Sequence, residues 1–145
     1  MKTIASNKKA RFDYDISEKL VAGIVLTGAE VKSVKSSHIS LKGSFVSVKN
    51  GEVYLNNAHI SPYKMADNSK YDPARARKLL LHKKEIDKIH GLLESKGASA
   101  VPLSVKLDRN LIKVEVGIGR GRKSYSKKEL IKKRDQLREA QRELK

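Results

Sequence analysis

Residues 103–118, LSVKLDRNLIKVEVGI, decide the fold class of this chain. Leu103, Val105 and Leu107 alternate with Ser104 and Lys106, Asp108-Arg109-Asn110 reads as a turn, and Ile112, Val114, Val116 and Ile118 alternate with Lys113, Glu115 and Gly117. A period of two puts successive apolar side chains on one face of a strand. The stretch therefore predicts a β-hairpin with one face for a core and one for solvent, as a barrel or sandwich wall requires. A second hairpin lies upstream, where Phe45-Val46-Ser47-Val48 and Val53-Tyr54-Leu55 flank Lys49-Asn50-Gly51. Asn-Gly between β-rich runs is a strong hairpin signal, because both residues tolerate positive φ. Phe12 to Ile16 and Gly23 to Leu26 predict a further long strand or pair of strands.

Helical signals are fewer. Asp72-Pro73 looks like a helix start, with Asp as N-cap and Pro at the first position, and two turns are predicted from Ala74 to Leu81. Ile86, Ile89 and Leu93 continue a helical spacing that Gly97 would end. A short helix over Ala29 to Ser36 would turn Val31 and Val34 inward and Lys32 and Lys35 outward. About five strands with a few helices predict a mainly β fold: a small closed OB-fold-like barrel with peripheral helices, spanning residues 1–117. An open α+β sandwich would give similar strings.

Residues 118–145 are expected to form a separate basic tail. From Gly117 to Lys145 there are 11 Lys or Arg against 4 Asp or Glu, so +7 of the chain's formal +16 sits in its last fifth. Leu130, Ile131, Leu137, Ala140 and Leu144 are too sparse to offset an ordering cost of roughly 1–2 kcal/mol per residue. The tail is thus predicted to be disordered when free and to become helical on a polyanion, with RNA the most abundant candidate. Leu130, Leu137 and Leu144 are seven apart, but Arg134 and Gln141 fill the second seam and the run is too short for a coiled coil. Gly117-Ile118-Gly119-Arg120-Gly121 reads as a flexible neck, as a barrel-edge bulge, or as both.

Several function classes find no support. Cysteine is absent and the four histidines (His38, His59, His82, His90) are scattered, so no metal or other cofactor is expected. No GxSxG, P-loop or dinucleotide signature is present and no carboxylate or nucleophile set nominates itself, so the chain is not expected to be an enzyme. No apolar run approaches the ~20 residues of a spanning helix. A soluble, cytoplasmic, monomeric protein is expected, with no membrane partner.

The positive charge is clustered. Arg75, Arg77, Lys78, Lys83 and Lys84 face only Asp72 between Tyr71 and Lys84, and self-repulsion at that density favours an external anion over a merely solvated helix face. Lys8, Lys9 and Arg11 run into Phe12 and Tyr14, a combination that grips phosphates and stacks unpaired bases, unless the aromatics face a core.

Five blocks in register now become specific: NKKARFDY (7–14), AGIVLTGAEVKS (22–33), HISPY (59–63), DPARARKLLLHK (72–83) and GxGRGRK (117–123). Together they resemble the SsrA-binding protein (SmpB) family, from about Ser6 to the C-terminus. The resemblance implies an OB-fold-type barrel without catalytic activity that binds the tRNA-like domain of transfer-messenger RNA. It further implies that the protein promotes alanylation of that RNA and delivers it to stalled ribosomes, with the tail in the empty mRNA channel and decoding centre (trans-translation). The implied partners are transfer-messenger RNA and the stalled ribosome. By motif match, the barrel's RNA-contact candidates are Arg11, Tyr14, Glu30, Lys32, Arg75, Arg77, Lys78, Leu80, His82 and Lys113. Glu30, set among positive groups, is expected to pair with a neighbouring base or orient a lysine. The ribosome-binding candidates are Arg120, Arg122, Lys123, Tyr125, Lys127, Lys128, Lys132, Lys133 and Arg134. Val21 stands where the family usually has an acidic residue, Ser126-Lys127-Lys128 replaces a common Asp-Lys-Arg, and His82 replaces an Asn of some relatives. The competing readings are a basic ribosomal or rRNA-binding protein and a small RNA-processing enzyme.

Overall fold

The computed structural model describes residues 1–121 and Arg134. The described chain is mainly β. In order it forms β1 (Lys2–Ser6), α1 (Lys8–Asp13), β2 (Tyr14–Ile24), α2 (Gly28–Lys35), β3 (Ile39–Ser40), β4 (Phe45–Lys49), β5 (Glu52–Asn56), β6 (His59–Ile60), β7 (Arg77–Leu80), α3 (Lys83–Leu93), β8 (Ala98–Asp108) and β9 (Leu111–Gly121). Seven strands make one antiparallel sheet in the order β1-β8-β4-β5-β7-β2-β9, and β8 also pairs with β9. The hydrogen-bonded ladder thus leaves β8 through β4 and returns to it through β9. β3 and β6 form a separate two-stranded ribbon.

Both predicted hairpins are present. Asn50 (φ 52°) and Gly51 (φ 75°) form the two-residue turn between β4 and β5, with Lys49 opposite Glu52. Arg109 (φ 58°) opens the turn between Asp108 and Leu111. The inward faces carry Ala22, Val53, Leu55, Leu79, Val105, Val114, Val116 and Ile118, all buried. α2 and α3 add Val34 and Ile89, both with no exposed surface.

The sequence pattern breaks at two bulges. One lies between Pro102 and Ser104 in β8 and throws Leu103 onto the outer side. There Leu103 joins Val101 and Ala10 in a second, smaller cluster beneath α1, with Tyr14 and Ile16 packed against it. The other lies between Ile16 and Glu18 in β2. Phe12 and Asp13 belong to α1 rather than to a strand. Asn7 caps that helix, its side chain accepting from the Ala10 N–H (3.2 Å) and donating to the Pro102 carbonyl (2.9 Å).

The glycines after Val116 are strand, not neck. β9 runs through Gly121, and Gly119 pairs with Ile16 on one side and Ser99 on the other. A Cβ on Gly119 would sit 2.1 Å from the Asp15 carbonyl oxygen, and one on Gly117 would sit 2.7 Å from Leu103 Cδ1. Both glycines permit close approach of β9 to its neighbours, whose bulges lie in β2 and β8 and not in the glycine run itself.

The predicted helix over Ala74 to Leu81 does not form. Asp72 caps a turn, its Oδ1 accepting from the Ala74 N–H (3.0 Å) and its carbonyl from the Arg75 N–H (3.3 Å). Arg77 to Leu80 then enter the sheet between β5 and β2, because pairing on both edges and burial of Leu79 override a local cap.

Gly119→Ala should therefore cost about 3 kcal/mol or more, since backbone must move to admit the methyl group. Gly121→Ala, with nothing within 4 Å of the added atom, should stay within about 1 kcal/mol. Urea denaturation of the two variants against the parent chain checks the contrast.

Candidate nucleic-acid interface

Strand register aligns a row of outward residues. Lys106 of β8 is opposite Lys113 of β9, Lys113 is opposite Gly23 of β2, and Gly23 is opposite Leu80 of β7. Directly paired residues share a face, and their neighbours Val105, Val114, Ala22 and Leu79 are buried inward. The outer face therefore has an apolar centre, Val21 (47% exposed), Val25 (45%) and Leu80 (54%). Lys19, Lys78, Lys106 and Lys113 stand around it. Gly23 keeps the centre flat: a Cβ there would lie 3.3 Å from Leu80 Cβ.

Glu115 organises one flank. It accepts from Arg11 of α1 (3.2 Å) on one oxygen and from Lys106 (3.1 Å) on the other. Burial alone would raise its pKa, but Lys106, Arg11 and Lys19 hold the carboxyl below the usual carboxylate range. On the other flank Lys78 pairs with Glu52 (3.3 Å). That single pair is exposed on both sides and adds little to stability, so Lys78 remains available to an external anion.

Beneath the face lies a buried ion-pair network. Thr27 and Glu30 form a reciprocal capping box at the start of α2: the Thr27 hydroxyl accepts from the Glu30 N–H (3.2 Å), and Glu30 Oε1 accepts from the Thr27 N–H (3.0 Å). The same carboxylate receives Arg77 Nε (2.7 Å) and both Nε and Nη2 of Arg75. Glu30 is 1% exposed and Arg77 is 0% exposed. All five N–H groups of Arg77 find acceptors: Glu30, the carbonyls of Ala58, Pro73 and Arg75, and the Tyr71 hydroxyl. Tyr71 Oη in turn lies 2.9 Å from the Ile60 carbonyl and 3.2 Å from Glu30 Oε2. Burial and the Glu30 charge raise the Tyr71 pKa. For Glu30 burial also pushes upward, yet the hydrogen bonds from Arg75, Thr27 and Arg77 win and bring it down to about 2.

The sequence candidates separate accordingly. Arg11, Lys78, Leu80 and Lys113 share the outer face. Tyr14 is half-buried in the cluster beneath α1, so packing accounts for it. Lys32 lies over the Tyr63 ring, 5.4 Å from its centroid. His82 is exposed at the start of α3, its N–H donating to Glu85 Oε1 (3.1 Å). Arg75 keeps a partly exposed guanidinium. Glu30 pairs with arginines, not with a lysine. Arg77 needs correction: it points inward from β7 with no surface to offer, because the helix that would have exposed it is a strand. Glu30 is likewise out of reach of any ligand. Arg120 is exposed on β9 and Arg134 is exposed. Arg122, Lys123, Tyr125, Lys127, Lys128, Lys132 and Lys133 lie outside the described residues. Sequence reasoning passed over Lys19, Lys106 and Glu115, whose signal was their alternation with the inward Leu20, Val105 and Val114, and Tyr71, which carries no local signal. Among the described residues no cluster of His, Asp or Glu is arranged to hold a metal, and no helix is long and apolar enough to cross a membrane.

Glu30→Gln would leave Arg77 buried against a neutral amide, and should cost about 3–5 kcal/mol in urea denaturation at neutral pH. Because the folded pKa lies below its ordinary 4.5, the carboxylate's contribution is complete above about pH 4.5 and is lost as pH falls toward 2. The stability gap between parent and Glu30→Gln should narrow over that window.

A family model described as "SmpB protein" matches residues 4–145. The SsrA-binding protein of Lachnoclostridium phytofermentans is 50% identical over 145 residues, covering 100% of this chain and 94% of that protein. That of Acetivibrio thermocellus is 49% identical over 144 residues, covering 99% and 94%. A solved chain described as "tmRNA-SmpB: a journey to the center of the bacterial ribosome" superposes with a TM-score of 0.69 at 43% identity, covering 83% of this chain and 85% of that one. With a family model matching residues 4–145 and relatives about half identical over nearly the whole chain, this chain belongs to the SmpB family of SsrA-binding proteins.

Proposed function

We propose that this chain binds the tRNA-like domain of transfer-messenger RNA and acts in trans-translation. It promotes alanylation of that RNA and carries it to stalled ribosomes in the cytoplasm. The observation that carries the reading is the register-aligned outer face of β8, β9, β2 and β7, with lysines around a flat apolar centre. Lysine ammonium groups suit phosphates, whereas Val21, Val25 and Leu80 suit the faces of unstacked bases and riboses, a division fitted to a folded RNA elbow. The relatives' name and the ribosome-associated neighbour support the same partners. In this reading the ladder that returns to β8 is the closed wall of an OB-like barrel. The basic segment beyond β9 then serves the ribosome, ordering as a helix in the mRNA channel and decoding centre. None of the protein's own groups is assigned a catalytic role.

Binding of the full chain to the isolated tRNA-like domain, with ordinary tRNA as competitor and salt matched, tests the reading. Lys113→Ala should weaken binding and lower the slope of log affinity against log salt by roughly 1. Leu80→Asp should reduce affinity by on the order of tenfold or more while leaving thermal stability near that of the parent, since Leu80 is exposed. Neutralising Lys127, Lys128, Lys132 and Lys133 together should spare the preference for the tRNA-like domain and impair activity on stalled ribosomes. Equal affinity for ordinary tRNA would instead favour a generic rRNA-binding protein.

A further inference from the structure

At the edge of the outer face, between the β4–β5 turn and the start of α3, the surface opens into a groove of about 500 Å³. Its apolar walls are Leu80, Leu81 and Ile86, and Lys78 and Lys83 stand at its margin. Leu80 belongs to both the face and the groove, so a strand of RNA lying on the face passes the opening. The volume is that of a small-ligand pocket, sufficient for one nucleotide.

Two carboxylates also line it, Glu52 and Asp87. In a chain of net charge +16 an acidic group beside an RNA path repels phosphate unless it has donors to accept. Glu52 is already paired with Lys78 at 3.3 Å. Asp87 and Lys83, one helical turn apart on α3, are both exposed, and their side chains make no ion pair or hydrogen bond among the described residues. An ionised carboxylate only accepts, through two oxygens side by side. Of the four RNA bases, guanine alone presents two adjacent donors, N1–H and N2–H, on its Watson–Crick edge. Adenine and cytosine each set a lone pair beside their amino group, and uracil flanks its single N–H with two carbonyls.

We infer that this groove takes one unstacked guanine of the bound RNA. The ring packs against Leu80 and Ile86, Asp87 reads the N1–H and N2–H pair, and Lys83 holds the adjoining phosphate. This rests on the RNA-binding reading above and adds base specificity to it.

The test uses the full chain and transcripts of the tRNA-like domain in which each unpaired guanosine is replaced in turn by inosine, which lacks the N2 amino group. Affinities are measured for the parent protein and for Asp87→Asn. At one position inosine should weaken binding to the parent by about tenfold, a loss typical of a broken bidentate base contact. At that position Asp87→Asn, whose amide no longer offers two acceptors, should show no inosine penalty. If no position carries a penalty, or if the penalty is the same in Asp87→Asn, the inference is overturned while RNA binding stands. If the parent fails to bind the unmodified transcript, the RNA-binding reading itself falls, and the groove assignment with it.

Discussion

The buried pairing of Glu30 with Arg77 is the constraint on which the rest of the structure depends. It ties the start of α2 to the inner side of β7, the strand that stands between β2 and β5 in the sheet. Placing a charged pair inside a small core is costly, and the cost is met here only because every N–H of Arg77 and both oxygens of Glu30 are engaged. The long segment between β6 and β7 has no helix or strand of its own, and Arg77 gathers it by holding the Pro73 and Arg75 carbonyls. A residue with no exposed surface thus determines what is displayed: with Arg77 and Leu79 turned inward, Lys78 and Leu80 are turned outward.

The outer face follows from that placement and from three glycines. Gly23 leaves the centre flat against Leu80, while Gly117 and Gly119 let β9 press against Leu103 and the Asp15 backbone. The bulge in β8 moves Leu103 to the outside, where it seats α1 through the second cluster. Seating α1 brings Arg11 to Glu115. The basic flank is therefore a consequence of how α1 packs on the outer side of the same strands.

How much of this was legible depended on whether the signal was local. The two hairpins were written in period-two alternation and turn chemistry, and α2 and α3 in helical spacing, so all four appear where the sequence places them. β7 was not, because Asp72-Pro73 is equally good chemistry for a turn, and what recruits Arg77 to Leu80 into the sheet is pairing with distant β2 and β5. Arg77 was misread with it: beside Arg75 and Lys78 it looks like one more surface charge, and only the fold reveals the acceptors that surround it. The alternation through Leu103 failed for a similar reason, since a bulge changes parity without any marker in the residues. Of the outer row, Lys113 and Leu80 could be named as candidates from family motifs, but their alignment with Gly23 into one row is a property of register.

Mapping the amides of the full chain whose NMR signals shift on binding the tRNA-like domain tests the central claim most directly. The account predicts that the largest changes fall on Lys19, Val21, Gly23, Leu80, Lys106 and Lys113, with the fully buried Arg77 and Glu30 keeping their contacts. Changes concentrated instead at β3, β6 and the exposed surface of α2 would contradict the assignment of the outer face of β8, β9, β2 and β7 as the surface that meets RNA.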